Sequence, residues 1–313
     1  MELGHVVVLA GGLSYEREVS LRSGRRVAEA LRSLDISVEL RDADATLLDA
    51  LANDPPDVVF PVLHGAAGED GSIRDVLELI GIPYVGARPD ACRISWDKPS
   101  AKAVVRQAGL LTPDSVALPK ELFHDLGAAS VLDWIVKRLG LPLFVKPTRG
   151  GSALGSSVVH EAHELPSAMV ACFAYGDTAL VEQYIEGTEV AVSVIERDGE
   201  PHALPAVEIV APGGRYDYTA RYNAGDTEFI TPARLTPEAT ARATAAAVTA
   251  HRALNLRDLS RTDLIVTPTG EPHFLEVNVA PGMTETSLLP RAITAANLTL
   301  ATVCQNLLHH RFT

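Results

Sequence analysis

Short apolar runs that end in glycine constrain the fold of this chain more than any other feature of its sequence. Val6–Ala10 precedes Gly11-Gly12, and residues 57–63 precede His64-Gly65. Buried parallel strands that enter tight turns have this pattern. A segment with helical periodicity follows each run, so we predict an α/β fold whose N-terminal part is an open, mostly parallel sheet. Ligands bind such sheets beyond the carboxyl ends of the strands, where both glycine turns fall.

The pattern changes after Trp96. Helices are predicted over Lys98–Gln107 and over the alanine-rich residues 237–254. Apolar segments predict strands over residues 143–146, 158–159, 179–185, 190–195, 206–210, 264–266 and 273–277. A Thr269-Gly270-Glu271 turn separates the last two segments, and this spacing predicts an antiparallel hairpin.

Charge and composition exclude several classes of protein. The 313 residues include 40 Asp or Glu against 27 Lys or Arg, for a formal net charge of −13. Such a surface repels nucleic acid, although it is compatible with a local cationic pocket. No run approaches the ~20 apolar residues that span a bilayer, and the N-terminus does not resemble a secretory signal. We therefore expect a cytoplasmic protein with no membrane or nucleic acid partner. The cysteines, Cys92, Cys172 and Cys304, are predicted to be buried thiols.

Oxygen-bearing side chains cluster on the predicted hairpin. Glu276 and Asn278 face the same side of one strand because side chains alternate with a period of two. Asp263, on the partner strand, can reach that face. Carboxylate and amide oxygens are the ligands that Mg²⁺ prefers, so the hairpin is either a magnesium site or an ordinary solvated face.

A glycine- and serine-rich loop follows the strand that carries Lys146 and extends to Ser157. Its backbone N–H groups and hydroxyls could bind a polyphosphate. The loop is not a Walker A motif, and Gly11-Gly12 lacks the spacing of a dinucleotide fingerprint. A surface loop without a ligand is the alternative.

Three other segments carry polar groups. Residues 278–287 place a Pro-Gly turn and hydroxyls before a helix, which can bind a carboxylate or simply cap the helix. Residues 216–222 contain three tyrosines and an arginine, and could form a lid or an ordinary loop. The charges of residues 15–20 are also typical of a first helical turn.

The order of these motifs resembles that of the D-alanine–D-alanine ligases of the ATP-grasp superfamily over essentially the whole chain. The matching residues are Glu16-Arg17-Glu18-Val19-Ser20, Leu63-His64-Gly65 with Gly68-Glu69-Asp70-Gly71, Lys146-Pro147, Gly151-Ser152 with Gly155, Tyr216-Asp217-Tyr218, Arg261-Thr262-Asp263, Glu276-Val277-Asn278 and Pro281-Gly282-Met283-Thr284. The resemblance implies a three-domain ATP-grasp fold, α/β at the N-terminus and α+β in the ATP-grasp part. Its expected domains are residues 1–97, a central lid domain over 98–189 and a catalytic domain over 190–313.

The resemblance also implies a reaction and its nucleotide site. ATP phosphorylates the carboxylate of one D-alanine, and the amine of a second attacks the acyl phosphate. The residues expected to bind ATP are Lys98, Lys146, Glu182, Gln183, Tyr184, Ile185 and Glu189. Asp263, Glu276 and Asn278 match the ligands of two Mg²⁺ ions, for which Mn²⁺ can substitute. Such enzymes supply a peptidoglycan precursor.

By the same resemblance, Glu16 pairs with the ammonium of the first substrate and is joined by Ser152 and Tyr222, while Arg261 and the Gly282 backbone N–H stabilise charge during the reaction. The remaining substrate residues are expected to be His64, Ser287 and Leu288. A homodimer is implied as well. The base that deprotonates the second ammonium stays unassigned.

Two alternatives are weighed. A paralogous ligase could join a D-amino acid to D-serine or D-lactate, because one methyl or hydroxyl group changes binding by only about 1–3 kcal/mol. A nucleotide-binding regulatory module without turnover is disfavoured, since it would not need the expected metal ligands and Arg261.

Overall fold

The computed structural model describes residues 4–151, 153–211 and 227–309. Three parallel strands form the N-terminal sheet in the order β2-β1-β3, as predicted. They are β1 (Val6–Ala10), β2 (Val38–Asp42) and β3 (Val58–Pro61), and the helices around them are α1 (Arg17–Arg32), α2 (Leu47–Asn53), α3 (Ala66–Glu69), α4 (Ser72–Leu79) and α5 (Pro89–Trp96). All five residues of β1 are buried because helices and the C-terminal region cover both faces of the sheet.

A second, antiparallel sheet has the order β4-β7-β5-β6. Its strands are β4 (Ser115–Pro119), β5 (Leu143–Pro147), β6 (Ser157–Val159) and β7 (Thr178–Gln183). The helices in this part of the chain are α6 (Lys98–Gln107), α7 (Lys120–Leu126), α8 (Ala128–Leu139) and α9 (Leu165–Phe173), the last preceded by a 3₁₀ turn over Ala162–Glu164. The sheet has its own apolar core, in which Leu143 and Val181 pack against Ile135 and Met169.

The largest sheet has six strands, in the order β11-β10-β8-β12-β13 with β9 paired to β8. They are β8 (Thr188–Arg197), β9 (Glu200–Ala203), β10 (Val207–Val210), β11 (Glu228–Ile230), β12 (Leu259–Val266) and β13 (Pro272–Asn278). The helices are α10 (Pro237–Ala253), α11 (Leu288–Ala295) and α12 (Leu300–His309). The small side chains of α10 form its buried face, and this face packs on the sheet through Ala243 and Ala247.

One continuous core joins the first and third sheets. Val6 and Phe60 of the N-terminal sheet belong to the same apolar cluster as Val207 of β10 and Leu307 of α12. The three cysteines are free and buried, as predicted. No helix in the described residues is long and apolar enough to cross a membrane.

Candidate active site

A cleft of about 190 Å³ lies between the central sheet and the β12–β13 hairpin. Strands β5 and β7 provide one wall, the hairpin provides the other, and the glycine-rich loop covers one side. The predicted site residues that line it are Lys98, Lys146, Glu182, Gln183, Tyr184, Ile185, Glu189, Asp263 and Glu276. Residues that are far apart in the sequence, from α6 to β13, therefore share one cavity.

Buried charges are paired at the base of this cleft. The Nζ of Lys146 lies 2.7 Å from Oε1 of Glu182, and the ammonium of Lys102 contacts Oε2 of the same carboxylate. Lys98 donates a hydrogen bond of 2.7 Å to the carbonyl of Gly150, which fixes the start of the glycine-rich loop. Its Nζ also lies 3.6 Å from Oε2 of Glu276.

The pairs decide which groups are charged. Burial disfavours the charged form of Glu182, but Lys146 and Lys102 outweigh it and hold the pKa of this carboxyl below its ordinary value. Burial also opposes the charge on Lys146, yet Glu182 and Glu276 raise its pKa. Burial lowers the pKa of Lys98, and the attraction of Glu276 only partly compensates. Burial also lowers the pKa of Lys102, against the attraction of Glu182. Because the ordinary pKa of lysine lies well above neutrality, we expect at pH 7 an ionised Glu182 held between two ammonium groups.

The β12–β13 hairpin is antiparallel, as predicted, and its register pairs Asp263 with Glu276 and Arg261 with Asn278. A bulge follows Asp263. Arg261 makes a two-point contact with Asp263, at 2.7 Å from Nε to Oδ1 and 2.8 Å from Nη2 to Oδ2. Oδ1 of Asn278 accepts a hydrogen bond of 2.7 Å from the N–H of Ala280. The register thus gathers the four predicted hairpin residues at one end of the ladder.

The hairpin's donor set fits a magnesium ion that is also bound by a substrate. Within the described residues, no group of three or more His, Cys, Asp or Glu side chains is placed to hold a metal by itself. Two carboxylates and an amide from Asp263, Glu276 and Asn278 would leave positions for water and phosphate oxygens, as Mg²⁺ sites commonly do.

Glu16 lies where the glycine turns meet the glycine-rich loop. Its neighbours explain the motif around it: Ser20 accepts from the N–H of Gly11 at 2.8 Å and donates to the carbonyl of Val62 at 2.7 Å. A Cβ on Gly65 would lie 3.0 Å from Oε2 of Glu16, and one on Gly151 would lie 3.8 Å from Oε1. At Gly65, where φ is 70°, a side chain would be strained and would crowd this carboxylate, whereas at Gly151 a Cβ would make an ordinary contact with it.

His64 joins the N-terminal sheet to the loop after β13. Its Nδ1 donates to the carbonyl of Ala280 at 3.0 Å, and its Nε2 lies 3.3 Å from the hydroxyl of Ser23. The same hydroxyl accepts from the N–H of Met283 at 3.1 Å. Burial lowers the pKa of His64, so the neutral ring can accept a hydrogen bond from the Ser23 hydroxyl at Nε2. The structure thus engages both ring nitrogens within the protein.

Ser287 directly precedes α11, which begins at the predicted substrate residue Leu288. The hydroxyl of Ser287 lies 2.8 Å from Oγ1 of Thr284 and accepts from the N–H of Thr284 at 3.1 Å. A Cβ on Gly282 would come within 2.7 Å of this hydroxyl, so a larger residue there would displace the Ser287 side chain. Ser152, Tyr222 and the predicted lid loop lie outside the described residues.

Two residues at the site had no role assigned from the sequence. Lys102 contacts Glu182 from α6, and Glu69 accepts a hydrogen bond of 2.9 Å from the N–H of Gly65. Burial, together with repulsion from Glu16, raises the pKa of Glu69 to about 8. Helical spacing could have indicated Lys102, because it lies four residues after Lys98 and so on the same face of α6.

Comparison with known proteins shows which family has sequences similar to this one. Two family models match, "D-ala D-ala ligase C-terminus" over residues 104–309 and "D-ala D-ala ligase N-terminus" over residues 40–87. A D-alanine–D-alanine ligase of Anaeromyxobacter sp. (strain K) is 41% identical over 97% of this chain and 95% of its own length. One from Moorella thermoacetica is 40% identical, covering 96% of this chain and 97% of its own.

Solved structures of similar proteins have the same fold. The VanG D-Ala:D-Ser ligase of Enterococcus faecalis matches with a TM-score of 0.84 and 31% identity, covering 97% of this chain and 98% of its own. The D-alanine–D-alanine ligase of Bacillus anthracis complexed with ATP matches with a TM-score of 0.81 and 28% identity, covering 99% of each chain. The protein therefore has the ATP-grasp fold and belongs to the D-alanine–D-alanine ligase family.

Proposed function

We propose that this protein uses ATP to join two molecules of D-alanine into D-alanyl-D-alanine for peptidoglycan synthesis. The observation that best supports this function is that the cleft adjoins the carboxylate of Glu16. Gly151 lines the cleft that holds Lys98, Lys146, Asp263 and Glu276, and it also approaches the carboxylate of Glu16. A phosphate at the end of a nucleotide and an amino acid paired with Glu16 would therefore be neighbours.

The first chemical step transfers a phosphoryl group between two anions. A carboxylate oxygen of the first D-alanine attacks the γ-phosphorus, the bond to the β–γ bridging oxygen breaks, and ADP leaves. Lys98 and Lys146 supply positive charge along the polyphosphate, and Glu16 holds the ammonium of the amino acid. Asp263, Glu276 and Asn278 would hold Mg²⁺, or Mn²⁺ in its place, which supplies charge neutralisation when bound.

In the second step the amine of another D-alanine attacks the acyl carbon. A C–N bond forms, the C–O bond to phosphate breaks, and the nitrogen loses a proton. Arg261 and the N–H of Gly282 stabilise the charge that develops on the acyl oxygen. Ser287 and the start of α11 at Leu288 bind the carboxylate of this second substrate. His64 orders the wall between the two substrates, because its ring joins Ser23 to Ala280.

The proposal also covers the domains of the protein, its oligomeric state and its location. The three domains are proposed to span residues 1–97, 98–189 and 190–313. The presence of three separate sheets supports this division, although β8 of the third sheet begins at Thr188 and so crosses the last boundary. The separate core of the central sheet supports its role as a lid. Ser152, Tyr222 and residues 216–218 are proposed to complete the site over the first substrate. We also propose a homodimer located in the cytoplasm, where ATP is available.

The test is phosphate release in the presence of ATP and Mg²⁺, with D-alanine, D-serine, D-lactate or L-alanine as substrate and with products identified by mass. Turnover with D-alanine alone that yields D-alanyl-D-alanine supports the proposal. Turnover only with a mixed pair, such as D-alanine with D-serine, favours the second candidate, for which the similarity to the VanG D-Ala:D-Ser ligase is the specific observation. No phosphate release with any of these acids would contradict both.

A further inference from the structure

Lys102 is a buried cation that stands behind the wall of the cleft. Its side chain is only 2% exposed, and its ammonium contacts Oε2 of Glu182. Glu182 and Lys146 are among the residues that line the cavity, whereas Lys102 is not. A ligand in the cleft would therefore meet Glu182 and Lys146 directly, and Lys102 only through Glu182.

The charges at this point do not cancel. Each oxygen of the Glu182 carboxylate is held by a different ammonium, Oε1 by Lys146 and Oε2 by Lys102. These three groups together carry a net charge of +1, and they are buried, where interactions between charges are stronger than in water. Without Lys102, Glu182 and Lys146 would form a neutral pair, and the carboxylate would oppose an anionic ligand.

Two lysines one turn apart on α6 contact opposite walls of the cleft. Lys98 and Lys102 are four residues apart on α6, so they lie on the same face. Lys98 contacts the glycine-rich loop at Gly150 and lies near Glu276 of the hairpin, while Lys102 contacts the central sheet at Glu182. Charged side chains of α6 thus interact with carboxylates on both walls of the cleft.

We propose that Lys102 is a positioning residue of the nucleotide site: it offsets the negative charge of Glu182 from outside the cleft, so that this carboxylate does not cancel the attraction of Lys146 for the polyphosphate of ATP. This inference rests on the proposed function, in which the cleft binds ATP. It predicts that Lys102 acts on phosphate binding through Glu182 and has little effect of its own once the carboxylate is neutral.

A double-mutant cycle on direct binding tests this role. Dissociation constants for ATP are measured by calorimetry for the wild type, Lys102→Met, Glu182→Gln and the double variant. We expect Lys102→Met to weaken ATP binding roughly 30-fold, as loss of one buried charge near the phosphates predicts. In the Glu182→Gln background the same change should cost no more than about 3-fold, because no carboxylate is left to neutralise. Equal costs in both backgrounds would overturn the inference.

The number of phosphates in the ligand separates this role from a structural one. The loss caused by Lys102→Met should increase from AMP to ADP to ATP, whereas a general distortion of the cleft would weaken all three alike. Arg106→Met is the matched control, since it removes an exposed cation from the same helix. We expect it to change ATP binding less than 2-fold.

Folding and the proposed function are controlled separately. Thermal unfolding of each variant reports whether it is folded, and Lys102→Gln, which keeps a donor for Glu182 without the charge, replaces Lys102→Met if that variant does not fold. Lys102→Gln that binds ATP as tightly as the wild type would contradict the role. A wild-type protein that fails to bind ATP would instead reject the proposed function.

Discussion

The end of the candidate active site that is proposed to bind ATP (the nucleotide end) and the end that is proposed to bind D-alanine (the amino acid end) are built from different interactions. At the nucleotide end, ion pairs among buried groups join Glu182 to Lys102 and Lys146. At the amino acid end, the groups around Ser23 and Ser287 form neutral hydrogen bonds with backbone and hydroxyl groups. Glu16 and Arg261 are charged exceptions at this end, as is Arg26, which donates a hydrogen bond of 3.0 Å to the carbonyl of Met283.

The difference follows from the proposed ligands. A triphosphate carries several negative charges, so buried cations set in place by carboxylates can provide most of its affinity. A small zwitterion offers little charge in total, and its orientation depends on the shape of a wall made of turns. Changes at the nucleotide end should therefore alter binding and turnover strongly. Changes among the neutral hydrogen bonds around Ser23 and Ser287, called here the neutral wall, should act mainly through stability.

The largest expected effect is that of Glu276→Gln, which removes one proposed metal ligand. We expect kcat to fall at least about 10³-fold, because several kcal/mol of charge stabilisation in the transition state depend on the metal. ATP binding should stay within about 10-fold of the wild type, since the Glu182 and Lys146 pair is untouched. Steady-state phosphate release and calorimetry measure the two effects, and Glu271→Gln on the exposed turn of the same hairpin is the control. Phosphate release at the wild-type rate would contradict the metal assignment.

Arg261→Ala comes next and tests the charged exception at the amino acid end. We expect kcat to fall about 10²-fold while KM for ATP changes less than about 3-fold, because the guanidinium stabilises charge that exists only during the reaction. The change also removes the partner of Asp263, so kcat is measured at several Mg²⁺ concentrations. Recovery of the full rate at high Mg²⁺ would assign Arg261 to metal binding instead.

A pH series on Glu69→Gln probes the boundary between the two ends. The pKa of Glu69 is raised to about 8, whereas it is 4.5 for the unperturbed group, so the folded protein retains a proton that the unfolded chain releases. The stabilisation due to this proton is complete below pH 4.5 and is lost as the pH rises towards 8. Between pH 5.5 and 7.5, the wild type should lose roughly 2 kcal/mol relative to Glu69→Gln.

Urea unfolding at each pH measures this difference, and Asp90→Asn, at an exposed position, controls for the loss of one negative charge. Parallel pH profiles for the wild type and Glu69→Gln would mean that Glu69 is ionised in the folded protein.

Local patterns predicted the elements that carry strong periodicity. β1 and α6 have the predicted bounds, and the hairpin forms between the predicted segments, although β12 begins at Leu259, five residues earlier than expected. The short strands β2, β4, β9 and β11 were not predicted. None of their residues is buried, so they lack the continuous apolar runs from which the other strands were predicted, although β2 alternates apolar and charged residues. Pairing with neighbouring strands decides their conformation.

In the site too, contacts between residues distant in sequence could not be predicted from local patterns. Motifs identified residues whose side-chain type indicates their chemical role, such as Glu276 and Lys146. They did not indicate that Lys102 pairs with Glu182, because this contact joins residues 80 positions apart and depends on how α6 packs. The proton on Glu69 was also unpredictable, since it results from burial beside Glu16.

The smallest effect is expected from Ser23→Ala, which breaks the neutral wall at its centre. The fully buried hydroxyl accepts from the N–H of Met283 and contacts Nε2 of His64, so its loss leaves a buried donor unpaired. We expect a stability loss of about 1 kcal/mol, and KM for D-alanine should rise more than KM for ATP. Urea unfolding and steady-state kinetics measure these effects, with Ser33→Ala at the exposed end of the same helix as control. If KM for ATP rises by as much as KM for D-alanine, the two ends are not separate, since a neutral contact far from the phosphates would then control nucleotide binding.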